Sequence, residues 1–225
     1  MEDSKEIVKG EEVTLEIEPG MDILEVNKQL AQKNMRLLRE HNVKAIDIMG
    51  SIGAGKTSLI EKLVQSLKKK YRIAVFKGDL TTTIDADRIG RHGVKVVTIN
   101  TGLECHLDAN VVARAVERIS LQDIDLLFIE NVGNLICPAE FPLGAEKRVV
   151  VVSVTEGPYM VVKHPFTFMT ADVTVINKKD LAEIMKVDTE QLKKQVKEIK
   201  PNMKVAVTNA LKGEGVEELI EALEL

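Results

Sequence analysis

The segment MGSIGAGKTS, residues 49 to 58, has the residue types and spacing of a loop that binds nucleotide phosphates. It fits the pattern G-x-x-x-x-G-K-[ST] with Gly50, Gly55, Lys56 and Thr57. In such a loop the backbone N–H groups surround the phosphates, the lysine reaches the β- and γ-phosphates, and the hydroxyl holds Mg²⁺. A glycine-rich turn without a ligand is the alternative. The predicted phosphate-binding residues are Gly50, Ser51, Gly53, Ala54, Gly55, Lys56, Thr57 and Ser58.

A second polar segment, NKKD at residues 177 to 180, follows the apolar run DVTVI and indicates which base is bound. N-K-x-D at a strand end recognises guanine, because its aspartate accepts from two base N–H groups that adenine does not present in that arrangement. The alternative is a solvated helix cap. Downstream, TNALKGEG at residues 208 to 215 resembles the loop that approaches the base in GTPases. The predicted base-binding residues are Asn177, Lys178, Asp180, Asn209 and Ala210.

Two segments between these motifs are predicted to respond to the γ-phosphate. In KGDLTTTIDADRI, residues 77 to 89, Asp79 and Asp85 are placed to contact Mg²⁺ or the attacking water, although Asp85 could instead cap the following helix. In ENVGN, residues 130 to 134, Glu130 is expected to face Mg²⁺, and the Gly133 amide is expected to meet the γ-phosphate. The predicted magnesium residues are Thr57, Asp79 and Glu130, and the predicted catalytic residues are Lys56, Asp79, Asp85 and Glu130.

The chain has only two cysteines, and both have polar or loop surroundings in the sequence. Cys105 and His106 are adjacent at the predicted start of a helix, and Cys137 lies four residues after Gly133, in a predicted loop. A lone cysteine is more often a small buried hydrophobe. Two thiolates and one imidazole, however, are suitable ligands for Zn²⁺ or Ni²⁺. We therefore predict a metal site made of Cys105, His106 and Cys137.

The elements that must position these residues are apolar runs alternating with helical patterns. Runs rich in Val, Ile and Leu predict strands at 43–49, 72–77, 94–99, 124–130, 147–154, 172–177 and 203–208. Helical patterns fall at 22–41, 56–70, 85–92, 108–120, 189–199 and 214–224. Strands this apolar are buried on both faces. We predict an α/β fold of the P-loop NTPase type, with a mostly parallel sheet of roughly seven strands flanked by helices on both faces.

Composition and charge narrow the function classes. The 225 residues suit one domain, predicted at 22–225, preceded by an acidic arm at 1–21 with a possible extended piece at 13–18. A net charge of -4 and an aromatic content of 3% argue against a nucleic-acid partner. The start of the chain lacks a signal-peptide pattern, and no apolar stretch is long enough to span a membrane. We expect a cytoplasmic protein with reduced cysteines.

Together these segments resemble the HypB proteins, a family of GTPases that assist nickel insertion into nickel–iron hydrogenase. The resemblance runs from about residue 28 to the C-terminus and includes GDLTTTIDADRI, ECH, ENVGNLICP and NKKD. It implies a GTP-dependent homodimer of the class that pairs two nucleotide sites, with Mg²⁺ and Zn²⁺ or Ni²⁺ bound. The implied partners are the hydrogenase large subunit or a companion nickel-maturation protein. The N-terminal segment lacks the cysteine-rich or histidine-rich stretch of many relatives.

The mechanism expected from these features couples nucleotide state to the metal. Three ligands per chain leave a coordination sphere incomplete, so a metal shared across a two-fold interface is expected. Turnover should be slow, because no arginine finger or water-orienting glutamine is evident. The alternatives are a GTPase chaperone of the urease or cobalamin type and a GTP-responsive scaffold with a structural zinc site. The urease type is built on Cys-Pro-His, whereas this chain has CPAE.

Overall fold

A computed structural model describes residues 22–79, 84–102 and 104–225 and the backbone of residues 5–9. Within these residues eight strands form one sheet in the order β1-β4-β3-β5-β2-β6-β7-β8. The strands are β1 (Lys5–Lys9), β2 (Lys44–Gly50), β3 (Ile73–Asp79), β4 (Lys95–Asn100), β5 (Leu126–Gly133), β6 (Lys147–Ser153), β7 (Val173–Asn177) and β8 (Lys204–Val207). Every pairing is parallel.

The predicted fold class is confirmed, and the seven predicted strands correspond to β2 through β8. β1 pairs with β4 at the edge of the sheet and was not predicted. Its sequence, KEIVK, has only two apolar residues between charged ones and so lacks the apolar run by which the other strands were predicted. The extended piece predicted at 13–18 lies outside the described residues.

Ten α-helices surround the sheet in the described part of the chain. They are α1 (Ile23–Glu40), α2 (Lys56–Leu67), α3 (Ile84–Gly90), α4 (Ala109–Val116), α5 (Cys137–Glu140), α6 (Met160–Lys163), α7 (Pro165–Thr170), α8 (Ala182–Met185), α9 (Thr189–Ile199) and α10 (Val216–Leu223). The predictions 56–70 and 108–120 were too long at their C-terminal ends. The four helices α5 to α8 have four to six residues each and were missed, because so few residues show no helical periodicity.

The sheet is buried on both faces, as the apolar runs predicted. Along β5, Phe128 packs into the core beneath α2, α3 and α10, whereas its neighbours Leu127 and Ile129 pack into the core beneath α1 and α4. A third core lies beneath α6, α7 and α9. Alternate side chains therefore bury apolar surface on opposite faces of the sheet.

The parallel strands place the segments predicted to bind nucleotide at the same end of the sheet, where the strands have their carboxyl ends. β2 lies between β5 and β6 in the sheet. From β2 the chain crosses to β3 on one side, and after β5 it crosses to β6 on the other side. The loops that follow β2, β5 and β7 all leave from the carboxyl ends of parallel strands. Ligands bind at this kind of edge in open α/β sheets.

Candidate nucleotide and metal sites

The phosphate-loop lysine is buried and held by the loop itself. Lys56 is the first residue of α2 and is only 6% exposed. Its Nζ donates to the carbonyl oxygens of Gly50 at 2.9 Å and Ser51 at 3.0 Å. Burial lowers the pKa of Lys56, and the nearby carboxylate of Glu130 opposes that shift. The ammonium is therefore fixed inside the loop, where it would meet the phosphates.

The phosphate loop and the predicted base-binding segment contact each other at Gly55. This residue has φ of +98°, and a Cβ added there would lie 2.3 Å from Nδ2 of Asn177. The same Nδ2 donates to the carbonyl oxygen of Ala54 at 2.8 Å. A glycine is required because a side chain would occupy the space of the buried asparagine amide and would favour a different φ.

Asn177 also holds the second segment that is predicted to bind the base. Its Oδ1 accepts from Thr208 Oγ1 at 2.9 Å and from the backbone N–H of Ala210 at 3.1 Å. The predicted Asn209 is buried beside it, and its Nδ2 has no partner among the described residues. The two predicted base-binding segments, about 30 residues apart in sequence, therefore form one structure around Asn177.

A single cavity of about 510 Å³ joins the phosphate and base segments. Of the predicted residues, Gly53, Gly55, Lys56, Thr57, Ser58, Asp85, Glu130, Gly133, Asn177, Lys178, Asp180, Asn209 and Ala210 line it. Gly50, Ser51 and Ala54 do not line the cavity; their backbone carbonyls accept from the side chains of Lys56 and Asn177 instead. The cavity volume lies within the range of small-molecule sites.

The residues predicted to face Mg²⁺ are in mutual contact. Thr57 Oγ1 lies 2.7 Å from Glu130 Oε1 and 3.3 Å from Asp85 Oδ2. Glu130 is 2% exposed, and its Oε2 is buried without a hydrogen-bond partner among the described residues. A hydroxyl and two carboxylates, one with an unpaired oxygen, fit an ion that takes oxygen ligands and retains water.

The two aspartates of segment 77–89, Asp79 and Asp85, differ in how much of each the structure describes. Asp85 lies in the first turn of α3, which begins at Ile84, rather than before the helix as the capping alternative requires. Asp79 is the last residue of β3, directly beside Asn100 of β4 in the sheet. Its side chain lies outside the described part, so its assignment to Mg²⁺ stays a prediction.

Two cationic side chains in the cavity were missed by the sequence analysis. Lys77 Nζ lies 2.7 Å from Glu130 Oε1 and 3.7 Å from Asp85 Oδ2. Arg88 donates to Asp85 Oδ1 at 3.1 Å and to Ser58 Oγ at 3.3 Å, and it also pairs with Glu61. The available signal for Lys77 was a lysine inside the apolar strand IAVFKGD, where a buried charge requires a partner.

The two cysteines approach each other in the fold. Cys105 is exposed, Cys137 is half-buried, and both are free thiols. The Cys137 thiol lies near enough to raise the pKa of Cys105, and burial adds to that rise. Cys105 lies in the loop before α4 rather than at its start, and Cys137 is the first residue of α5 rather than part of a loop.

The predicted histidine ligand is close to the thiols but packs against an aromatic ring. His106 Nδ1 lies 3.7 Å from Cys105 Sγ. The imidazole is tilted against Phe141, with the ring centroids 3.9 Å apart, and burial lowers its pKa. In the ranges that the structure covers, no group of three His, Cys, Asp or Glu side chains is arranged to hold a metal ion.

A short segment connects the nucleotide cavity to the cysteines. Gly133 ends β5, and a Cβ added there would lie 2.4 Å from Cγ1 of Ile52 in the phosphate loop. The next residue, Asn134, forms a β-bridge with Gly50. Its side chain accepts from the N–H of Ile136, the residue before Cys137. The segment from Glu130 to Cys137 therefore contacts the phosphate loop at one end and the thiols at the other.

None of the helices in the described ranges is both long and apolar enough to cross a membrane.

Comparison with known proteins gives consistent matches over most of the chain. A family model described as "CobW/HypB/UreG, nucleotide-binding domain" matches residues 44–207. The chain is 52% identical over 203 residues to the probable hydrogenase maturation factor HypB of Methanocaldococcus jannaschii, covering 90% of this chain and 92% of that protein.

Two solved structures share both the fold and substantial identity. The hydrogenase maturation factor HypB from Archaeoglobus fulgidus matches with a TM-score of 0.83 and 46% identity, covering 89% of this chain and 98% of that one. HypB from Helicobacter pylori, solved in complex with nickel, matches with a TM-score of 0.82 and 33% identity, covering 88% of this chain and 95% of that one.

Proposed function

The chain belongs to the HypB family of hydrogenase maturation factors, and on that premise we propose that it is a GTP-hydrolysing metallochaperone. It would bind Mg²⁺ with GTP, carry Ni²⁺ or Zn²⁺ on its cysteines, and assist nickel insertion into nickel–iron hydrogenase. Residues 22–225 would act as one GTPase domain, preceded by an acidic arm at 1–21. The proposed location is the cytoplasm.

One observation carries the proposal: a single segment joins the nucleotide cavity to the two thiols. Glu130 Oε1 accepts the Thr57 hydroxyl at 2.7 Å, and Cys137 follows seven residues later. Asn134, between them, bridges to the phosphate loop at Gly50. A change in the phosphate occupying the loop would therefore move the backbone that carries Cys137.

The side chains around the cavity suit binding and hydrolysis of GTP. Lys56 and the loop amides would hold the phosphates, and Asp180 would accept from guanine while Asn177 fixes its two neighbouring loops. Asp85 and Glu130 would orient water and the Thr57 hydroxyl toward the phosphates. Mg²⁺, when bound, would neutralise charge on the β- and γ-phosphate oxygens. Slow turnover is expected, because Arg88 is already paired with Asp85 and Glu61.

The proposed site for Ni²⁺ or Zn²⁺ favours a homodimer in which two chains share the metal. One chain brings two thiols and one imidazole near each other without completing a three-ligand group among its described side chains. Zn²⁺ takes four ligands and Ni²⁺ at least as many, so a second copy would supply the rest across a two-fold axis. We propose that GTP closes this homodimer and that hydrolysis releases the segment carrying Cys137. The acceptor would be the hydrogenase large subunit or a companion nickel-maturation protein.

The test measures metal and mass together in the two nucleotide states. Protein loaded with GDP or with a non-hydrolysable GTP analogue is titrated with Ni²⁺ and, separately, with Zn²⁺, while light scattering records the molar mass. We expect tighter metal binding and a doubled mass with the analogue, because nucleotide and metal must change each other's affinity by the same factor. Equal metal affinity in both states would refute the coupling and would favour a scaffold with a structural zinc site.

Three variants assign the parts of the site. Cys137→Ala should leave GTP binding intact and weaken metal binding. Lys56→Ala should abolish nucleotide binding. Asp180→Asn should reduce the preference for GTP over ATP, and an unchanged preference would contradict the assignment of guanine recognition to the NKKD segment.

A further inference from the structure

Lys77 lies beside the carboxylates that face the proposed Mg²⁺ position, and it has no part in the proposed binding and hydrolysis of GTP. It pairs in register with Glu130 across strands β3 and β5, so both side chains leave the same face of the sheet. Its Nζ is 2.7 Å from Glu130 Oε1 and 3.7 Å from Asp85 Oδ2. Since Lys77 is only 6% exposed, carboxylates rather than water hold the ammonium.

The buried carboxylate of Glu130 is in direct contact with this ammonium. The carboxylate is 2% exposed, its Oε1 accepts from both Thr57 and Lys77, and its Oε2 has no partner among the described residues. An ionised carboxylate in such surroundings is costly unless a cation contacts it. Lys77 therefore forms the direct ion pair with this buried carboxylate.

The same ammonium lies where a divalent ion would need these carboxylates. An ion that also contacts Thr57 Oγ1 must come close to Glu130 Oε1 and Asp85 Oδ2, which are 2.7 Å and 3.3 Å from that hydroxyl. Lys77 contacts the same Oε1 and faces the same Oδ2. Two cations this close in a buried site repel each other strongly.

We propose that Lys77 is a built-in counter-ion that competes with Mg²⁺ for Glu130 and Asp85. It stabilises the empty site and weakens Mg²⁺ binding, so the protein requires more Mg²⁺ to hold its nucleotide than it would without this lysine. The inference deepens the proposed GTPase function and rests on it for the identity of the ion and the nucleotide.

The experiment measures Mg²⁺ affinity in the complex with a fluorescent GDP analogue. Mg²⁺ is varied with EDTA buffers, and the analogue's fluorescence reports nucleotide retention. Lys77→Met should lower the Mg²⁺ dissociation constant by about tenfold or more, because one adjacent positive charge is removed. Lys77→Arg should behave like the wild type. Lys147→Met is the matched control, since it removes another strand lysine paired with a carboxylate, 2.7 Å from Glu224, at the amino end of β6.

Thermal unfolding provides a readout that does not depend on nucleotide hydrolysis. In EDTA and without nucleotide, Lys77→Met should melt below the wild type, because Glu130 then lacks its ion pair. Added Mg²⁺ should raise the melting temperature of the variant more than that of the wild type. If Lys77→Met fails to fold, Lys77→Gln, which can still donate to Oε1, replaces it in both measurements.

An unchanged or raised Mg²⁺ dissociation constant in Lys77→Met would overturn the inference, as would a larger Mg²⁺ effect on the wild type. The raised value would place Lys77 among the groups that assist nucleotide binding. Failure of the proposed function is distinguishable, because the wild type itself would then bind no guanine nucleotide at any Mg²⁺ concentration. The melting experiment with Mg²⁺ alone would still test Lys77 in that case.

Discussion

Replacing Asn177 by alanine should destabilise the protein even in the absence of nucleotide. This side chain is 1% exposed and makes three hydrogen bonds, to Ala54 O, Thr208 Oγ1 and Ala210 N, at 2.8, 2.9 and 3.1 Å. Each such bond contributes about 1 kcal/mol net, so the loss of all three should lower the free energy of unfolding by about 3 kcal/mol. The partners left behind are in the interior, where water does not readily replace the amide.

Urea unfolding of the nucleotide-free protein, followed by circular dichroism, measures the change. The matched control is Asn209→Ala, because Asn209 is also buried, at 2% exposure, in the same cavity. Its side chain makes one long bond, from the N–H of Lys212 at 3.3 Å, and its Nδ2 has no partner in the described part of the chain. Asn209→Ala should therefore lower the free energy of unfolding by about 1 kcal/mol or less. Equal losses in the two variants, or a loss below about 1 kcal/mol for Asn177→Ala, would refute this account of how the loops are joined.

Three further changes test other parts of the molecule. Arg148→Met removes the ion pair of buried Asp47, at 3.2 Å, and should cost about 3–5 kcal/mol near pH 7 by urea unfolding. Burial already raises the pKa of Asp47 against the effect of Arg148, so this cost should shrink as the pH falls and the carboxyl takes up a proton. Asp125→Asn should make the stability of the protein depend less on pH in acid. Arg72 lowers the pKa of Asp125 from 3.8 to about 2. The stabilisation from this carboxylate is therefore present above about pH 4 and is lost toward pH 2. The free energy of unfolding of both proteins, measured by urea at pH 6 and pH 3, checks this. An equal loss of stability between the two pH values in the wild type and the variant would contradict it. Gly55→Ala should abolish binding of a fluorescent GDP analogue, because φ is +98° and the new Cβ would lie 2.3 Å from a buried amide nitrogen.

Local sequence patterns were sufficient for the strands that carry the candidate site, and they predicted both nucleotide motifs. The phosphate loop, for example, needs glycines at set positions, and its lysine and threonine follow directly. The seven strands β2 to β8 could be predicted because uniformly apolar runs bounded by polar turns have few other structures. Short helices such as α5, with four residues, contain too little sequence to show a period. Cys137 was consequently expected in a loop and instead begins this helix.

The predicted metal site could not be worked out in detail from the sequence, because residue types alone do not determine which side chains come into contact. They suggested that Cys105, His106 and Cys137 share a site, although Cys137 belongs to a different segment of the chain from the other two. The Cys137 thiol is near enough to raise the pKa of Cys105, whereas His106 packs against Phe141. The assignment of these residues to a metal stays a prediction that the titrations above address.

The arrangement around Glu130 could not be predicted, because it depends on which strands become neighbours. The sequence by itself determined a parallel sheet and predicted a phosphate loop and a guanine-binding segment, since each of these follows from patterns within a few residues. Only the tertiary structure placed Lys77 beside Glu130, 53 residues away, by pairing β3 with β5. It likewise joined Asn177 to the phosphate loop across 123 residues. Contacts of this kind are decided by strand order and register, which no local pattern specifies.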